Sequence, residues 1–302
     1  MGEHDGYFPR GESVLRQVHE PCIVGLLYGQ RALMIGATDP VVSSGTYESS
    51  AGTSSPFDRL VRTAKTFEIT FLGSKAEADR ELERVYRLHQ RVKGGLTRDA
   101  GPYPAGTRYD ALDPKQMLWT LAVIADSAQV VYERLVQRLS DPEREAFWRD
   151  YLRWGELFHL PRSEMPATYR EFRAWYDARL ESDELFLTEE SREMGHIVAL
   201  EIPGAPQDRP ALAVHNLLVA GLLPRRVREM YGLRWTPAHA AAFRALVTAH
   251  RAAHRVTPDR VRRGPVTRFY DRVARSERRG LASGQQARGA AAADARRASA
   301  EA

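Results

Sequence analysis

Cysteine is almost absent: Cys22 is the only one in 302 residues. No intramolecular disulfide can form and no cysteine-rich metal site can be built, a usage that fits a reducing compartment. There is no Gly-rich phosphate loop, no Gly-x-Ser-x-Gly and no Cys-x-x-Cys. A nucleotide enzyme or a serine hydrolase therefore has no support. Long apolar runs are lacking as well. The longest, around Ala211–Leu223, is interrupted by His215 and Asn216, whereas a bilayer-spanning helix needs ~20 apolar residues. The opening Met1-Gly2-Glu3-His4-Asp5 carries acid and no basic stretch before an apolar core. No secretory leader is read there, and a cytoplasmic location is expected.

What is present suits a globular helical protein. Hydrophobic residues make up 43% and charged residues 27%, a mixture with which a chain of this length buries its core without staples. Apolar–polar alternation is scarce, and helical periodicity fills most of the sequence. Helices are expected over Ser13–His19, Cys22–Ile35, Pro56–Phe71, Lys75–Lys93 and Lys115–Leu139, with another opened by Asp39-Pro40. Further helices follow from Ser140-Asp141-Pro142 to Leu157 and over Ala167–Leu180, Thr188–Leu200, Pro210–Ala220, Pro224–Tyr231, Pro237–His254 and Pro258–Arg275. Several of them start with Ser, Asp or Pro and end at Gly, as helix termini prefer. Gly45–Ser55 reads as a loop or broken helix, and Leu96–Tyr109 as a loop. Phe67–Leu72 has strand-like composition but falls at a helix end. The expected class is all-α: one large helical domain over 1–279, and an Ala/Arg-rich tail over 280–302 too polar to order itself.

The net charge of +5 and pI of about 9.4 have a local source. Arginines crowd between Arg251 and Arg279, and Arg288, Arg296 and Arg297 follow. A binding protein that meets anionic partners through this end is the alternative function. Only Phe269 and Tyr270 break the arginines, so the aromatic interleaving that favours nucleic acid is poor.

Four places could carry chemistry. His89 shares a helix face with Leu82, Val85 and Val92. A buried imidazole needs a hydrogen bond or a metal, and periodicity leaves a satisfied core histidine and a ligand both open. Arg59, Arg62 and Thr63 share one face, where two guanidiniums beside a hydroxyl suit an anion or form a solvated basic surface. Asp126 aligns with Trp119, Val123 and Val130. A carboxylate there is costly unless paired, so it either forms a buried ion pair or orients a ligand. His250 and His254 stand at i, i+4, but the Glu of a zinc-protease motif is missing, and a solvated face is the plainer reading. His196 and His215 also lie in largely apolar helical stretches.

In order and spacing these segments resemble the catalytic domain of MpaB-like oxygenases, the family that includes the latex-clearing rubber oxygenases. The resemblance covers roughly Tyr7 to Arg255. It begins with Tyr7-Phe-Pro and Ser13-Val-Leu-Arg-Gln-Val-His. Pro56-Phe-Asp-Arg-Leu-Val-Arg-Thr is similar to the family's Arg-Leu-x-Arg-Thr block, and Val85-Tyr-Arg-Leu-His-Gln-Arg-Val-Lys-Gly to its His-x-x-Val-x-Gly block. Tyr109-Asp-Ala-Leu-Asp-Pro, Leu118-Trp through Asp126-Ser, Ala220-Gly-Leu-Leu-Pro and Met230-Tyr-Gly-Leu continue the pattern. Departures are Asp39 before Pro40, Ser49 before Ser50, and Leu121 two residues after Trp119, at positions where the family often has histidine.

The resemblance implies a helical domain enclosing a haem pocket and an oxidoreductase that uses haem b and dioxygen on a hydrophobic small-molecule or polyisoprenoid-like substrate. It implies His89 as the proximal iron ligand. Arg62 and Thr63 would be the distal catalytic pair, with Arg59 and Asp126 supporting the cofactor.

Overall fold

The structure is a computed structural model that describes residues 5–48, 56–203, 206–263, 272–275 and 277. The expected all-α class is what folds. Ser13 caps α1 (Val14–His19), its hydroxyl accepting from Arg16 N. Helix α2 (Cys22–Gly36) follows a two-residue turn, and α3 (Pro40–Glu48) opens at Asp39, whose carboxylate accepts from Val41 N and Val42 N. The stretch expected as loop or broken helix from Gly45 therefore stays helical to Glu48; residues 49–55 lie outside the described residues.

Helices α4 (Pro56–Leu72) and α5 (Lys75–His89) form a tight hairpin through Gly73 and Ser74. Ser74 and Glu77 make a reciprocal capping box at the start of α5, which satisfies two otherwise orphaned backbone donors. The strand-like Phe67–Leu72 is helical, as expected. Helix α5 stops earlier than periodicity suggests. Arg91 N and Val92 N turn back onto Leu88 O and His89 O, and the chain enters a short antiparallel pairing of β1 (Lys93–Gly95) with β2 (Arg108–Asp110). The cause is tertiary. A Cβ on Gly94 would sit 2.2 Å from Tyr109 Oη, so the glycine lets the ring lie flat across the hairpin.

The core is built on the pair α2 and α6 (Pro114–Leu135). Along α6 nearly every residue from Leu118 to Leu135 is buried, so this helix is apolar all round. Helix α7 (Asp141–Leu157), with its own Ser140–Glu143 capping box, packs on α1 and on α8 (Tyr169–Glu181). Aromatic stacking holds α8 on both sides: Trp148 of α7 on Phe172 at 4.1 Å and Trp119 of α6 on Tyr176 at 5.8 Å. Helices α9 (Glu189–Leu200) and α10 (Arg209–Leu222) cover the other side of α2. After α11 (Arg225–Met230), α12 (Pro237–Val256) lies over α10 and α6.

The expected helix over Pro258–Arg275 is interrupted: α13 spans Asp259–Arg262, and residues 272–275 are helical again. Arg263 is extended and bridges Pro21, while its guanidinium lies 3.4 Å from Glu20. Beyond residues 264–271, Val273 and Ala274 are buried against Phe57, Val61 and Ile202. The tail expected to be disordered lies outside the described residues. No helix of the described residues is long and apolar enough to cross a membrane.

Candidate active site

Helices α2, α4, α6 and α9 form most of the walls of an apolar space, to which α1 adds His19 and α3 adds Val42 and Ser43. The cavity holds about 530 Å³, within the range of small-molecule sites. One wall is α2, where Gly25, Gly29, Ala32 and Gly36 recur at helical spacing and present backbone instead of side chains. A Cβ on Gly29 would meet nothing within 4 Å. The facing wall is α4, contributing Arg59, Leu60, Thr63, Ala64, Phe67, Glu68 and Phe71. Thr120, Val123 and Ile124 of α6 and Ser191, Met194, Gly195 and Val198 of α9 complete it.

The cavity brings together two of the residues singled out by sequence, Arg59 and Thr63. Arg62 is exposed and does not line it. The α4 helix face carrying Thr66 is turned toward α5, where Thr66 donates to Glu81 and accepts from Arg84.

His89 also lies off the cavity, as the last residue of α5. Helices α4 and α5 are antiparallel, so His89, two turns beyond Glu81, comes level with the first turn of α4 that carries Arg59. A relay of ring contacts joins it to the cavity wall: His89 to Phe158 at 5.8 Å, Phe158 to Trp154 at 5.5 Å, and Trp154 to Phe67 at 5.7 Å. Neither nitrogen of His89 bonds to a described residue, and Nδ1 is fully enclosed. Burial lowers its pKa below the usual imidazole value, so the ring is neutral.

Asp126 faces the opposite side of α6 and touches neither the cavity nor His89. Its carboxylate lies 2.7 Å from Arg31 Nη1 and also pairs with Arg173. Burial pushes this carboxyl up, but the two guanidiniums outweigh that and hold its pKa below the ordinary value. The same Arg31 reaches Ser127 Oγ and Leu222 O, both at 2.8 Å, so the network ties α2, α6, α8 and α10 together. Asp39, at one position where the family often has histidine, caps α3 and accepts from Arg179 Nη2 at 2.8 Å. Leu121 is buried core.

Three of the other histidines bond to backbone or to a neighbour through one nitrogen, although His215 Nε2, like His89 Nδ1, is enclosed without a partner. His196 Nε2 lies 3.2 Å from Tyr231 O, His215 Nδ1 3.1 Å from Asn216 Oδ1, and His250 Nδ1 3.0 Å from Leu135 O. His250 and His254 stack at 5.8 Å, but no group of three or more metal-binding side chains occurs among the described residues.

Sequence reasoning missed His19, the one histidine among the described residues that lines the cavity. It is buried, with Nε2 2.8 Å from Tyr151 Oη and its ring 4.5 Å from that of Phe71 and 4.9 Å from that of Tyr28. Burial pushes its pKa down to about 3. The sequence carried one usable signal for this cavity: the stripe of small residues from Gly25 to Gly36, which only makes sense if something lies flat against α2.

No solved structure matches the chain. Two mycobacterial proteins, both called uncharacterized, are similar: Rv2237 of Mycobacterium tuberculosis and Mb2261 of Mycobacterium bovis. Each is 26% identical over 226 residues, covering 73% of this chain and 81% of the relative. Residues 16–252, which hold every wall of the cavity and His89, match the profile of one family, and the chain therefore belongs to the oxygenase family described as "ER-bound oxygenase mpaB/B'/Rubber oxygenase, catalytic domain".

Proposed function

We propose that this oxygenase-family protein is a haem b-dependent oxidoreductase that oxidises a hydrophobic small molecule held between α2, α4, α6 and α9. The observation that carries the reading is the pairing of a large apolar cavity with an unspent, neutral imidazole across one helix from it. His89 makes no hydrogen bond to a described residue and has an enclosed Nδ1. Nδ1 is closed off, so Nε2, which is unbonded and not among the enclosed atoms, is the nitrogen left for iron, which binds the neutral ring. Haem, when bound, would supply dioxygen activation.

The chain's own residues supply the rest. The cavity walls exclude water and select for apolar shape. Thr63 offers a hydroxyl to the cavity, and Arg59 offers a fixed positive charge for a carboxylate or a developing anion. Arg62, on the neighbouring face of α4, would contribute charge from outside the cavity. Asp126 supports the scaffold and does not touch the reacting groups.

The test is haem uptake by purified protein, followed by ascorbate-driven oxygen consumption. Wild type should do both. Thr63→Ala should take up haem yet consume oxygen about 10- to 1,000-fold more slowly, the cost of losing one preorganised donor, and Arg62→Ala, whose charge acts from outside the cavity, should slow it by about 10-fold or less. Wild-type rates in both variants, or a wild type that takes up no haem, would contradict the reading.

A further inference from the structure

We propose that the end of the cavity around His19 recognises a hydroxyl group on an otherwise apolar ligand, with the His19 imidazole as hydrogen-bond donor. The proposal rests on the cavity being the substrate chamber. It starts from Tyr151, which is buried and whose only hydrogen bond to a described residue is with His19 Nε2, at 2.8 Å. A buried phenol must place its proton on an acceptor. Nε2 is the acceptor at hand, so the phenol donates and Nε2 accepts. A neutral ring that accepts at Nε2 carries its proton on Nδ1. Nδ1 bonds to no described residue, nor is it among the fully enclosed unpaired atoms. It therefore opens on the cavity that His19 lines.

Glu68 supplies the opposite need. It lines the same cavity, and neither carboxyl oxygen bonds to a described residue; Oε2 is enclosed, so Oε1 is the oxygen open to a ligand. It stands three residues from Phe71, on adjacent helix surface, and the Phe71 ring is the one 4.5 Å from His19. The cavity thus holds one donor, His19, at the end framed by Tyr28, Phe67 and Phe71, and one acceptor, Glu68, on the neighbouring surface of α4. A hydrocarbon would satisfy neither, a ketone only the imidazole and an amine only the carboxyl. A hydroxyl both accepts and donates.

Two measurements test this. In 15N NMR of histidine-labelled protein, His19 should show a protonated Nδ1 and a bare Nε2, and Tyr151→Phe should release that tautomer to a mixture. A protonated Nε2 in wild type would overturn the proposal. Calorimetry with tetralin, tetralone and tetralol then varies one group on one skeleton. Tetralol should bind about 10-fold or more tighter than tetralin, the scale of one to two net hydrogen bonds. His19→Phe should abolish that advantage, and Glu68→Leu should bring tetralol down to the level of tetralone. Should His19→Phe not fold, His19→Phe/Tyr151→Phe, which leaves no phenol unpaired, takes its place. Equal binding of the three probes, no binding of any, or a preference that survives loss of His19 would overturn the proposal. A tetralol preference in protein that takes up no haem would keep this inference and sink the oxygenase reading; haem uptake with oxygen consumption but no preference would do the reverse.

Discussion

Asp126 illustrates what a single residue discloses. Its place in an apolar helix required a partner, and the sequence stopped there. The partners, Arg31 on α2 and Arg173 on α8, are brought in by packing that no local pattern encodes. Removing the carboxylate strands the buried Arg31 guanidinium. Asp126→Ala is expected to cost about 3–5 kcal/mol of stability, the cost of breaking a buried ion pair. Urea denaturation checks this, and a loss under about 1 kcal/mol would mean the arginines find other partners.

His19 makes a second residue-scale prediction. Burial lowers its folded-state pKa to about 3, against ~6.5 in an unfolded chain. Between those values the unfolded chain takes up a proton that the folded chain refuses. The stabilisation is complete above about pH 6.5 and is lost as pH falls through this window, at about 1.4 kcal/mol per pH unit. His89 and His215 are lowered by burial in the same direction and add to the slope. The melting temperature should fall steadily from pH 6.5 to 4, and His19→Phe should flatten the curve. An unchanged slope in that variant would place His19 in solvent.

At the scale of elements, the caps made most of the fold readable. Ser13, Ser74, Asp113, Ser140, Thr188 and Thr236 each cap a helix with a side-chain oxygen, and those starts were legible within a residue or two. The end of α5 was not, because it depends on Tyr109 crossing Gly94, a contact made between separate parts of the chain. The short α13 has the same kind of cause, in the bridge of Arg263 to Pro21. Glycines on facing helices should respond in opposite ways. Gly29 lies inside α2 with open space beyond it, so Gly29→Ala should stabilise by about 0.5–1 kcal/mol. On α9, a Cβ at Gly195 would come 2.5 Å from Tyr231 Oη, and Gly195→Ala should destabilise by about 1–3 kcal/mol through overpacking. Chemical denaturation of the two variants reads both signs at once. Destabilisation by Gly29→Ala would mean that α2 packs against something where the cavity now lies.

For the whole molecule, the class was legible and the cavity was not. Helical periodicity and the missing strand alternation led to an all-α fold. The cavity draws on α2, α4, α6 and α9, distant in sequence, and its histidine, His19, sits at the end of a six-residue helix where periodicity says little. Arg59 and Thr63 reached the cavity because they share a face of α4, while Arg62, one residue from Thr63, did not. The central claim is that His89, one helix away from that cavity, holds the iron of a haem. The most direct measurement is the absorption spectrum of haem-reconstituted wild type, His89→Ala and His19→Phe, recorded side by side. Wild type and His19→Phe should share one intense haem band near the visible–ultraviolet border, and His89→Ala should lose or grossly shift it. An unchanged band in His89→Ala, with loss in His19→Phe, would move the iron to the cavity histidine and contradict the claim.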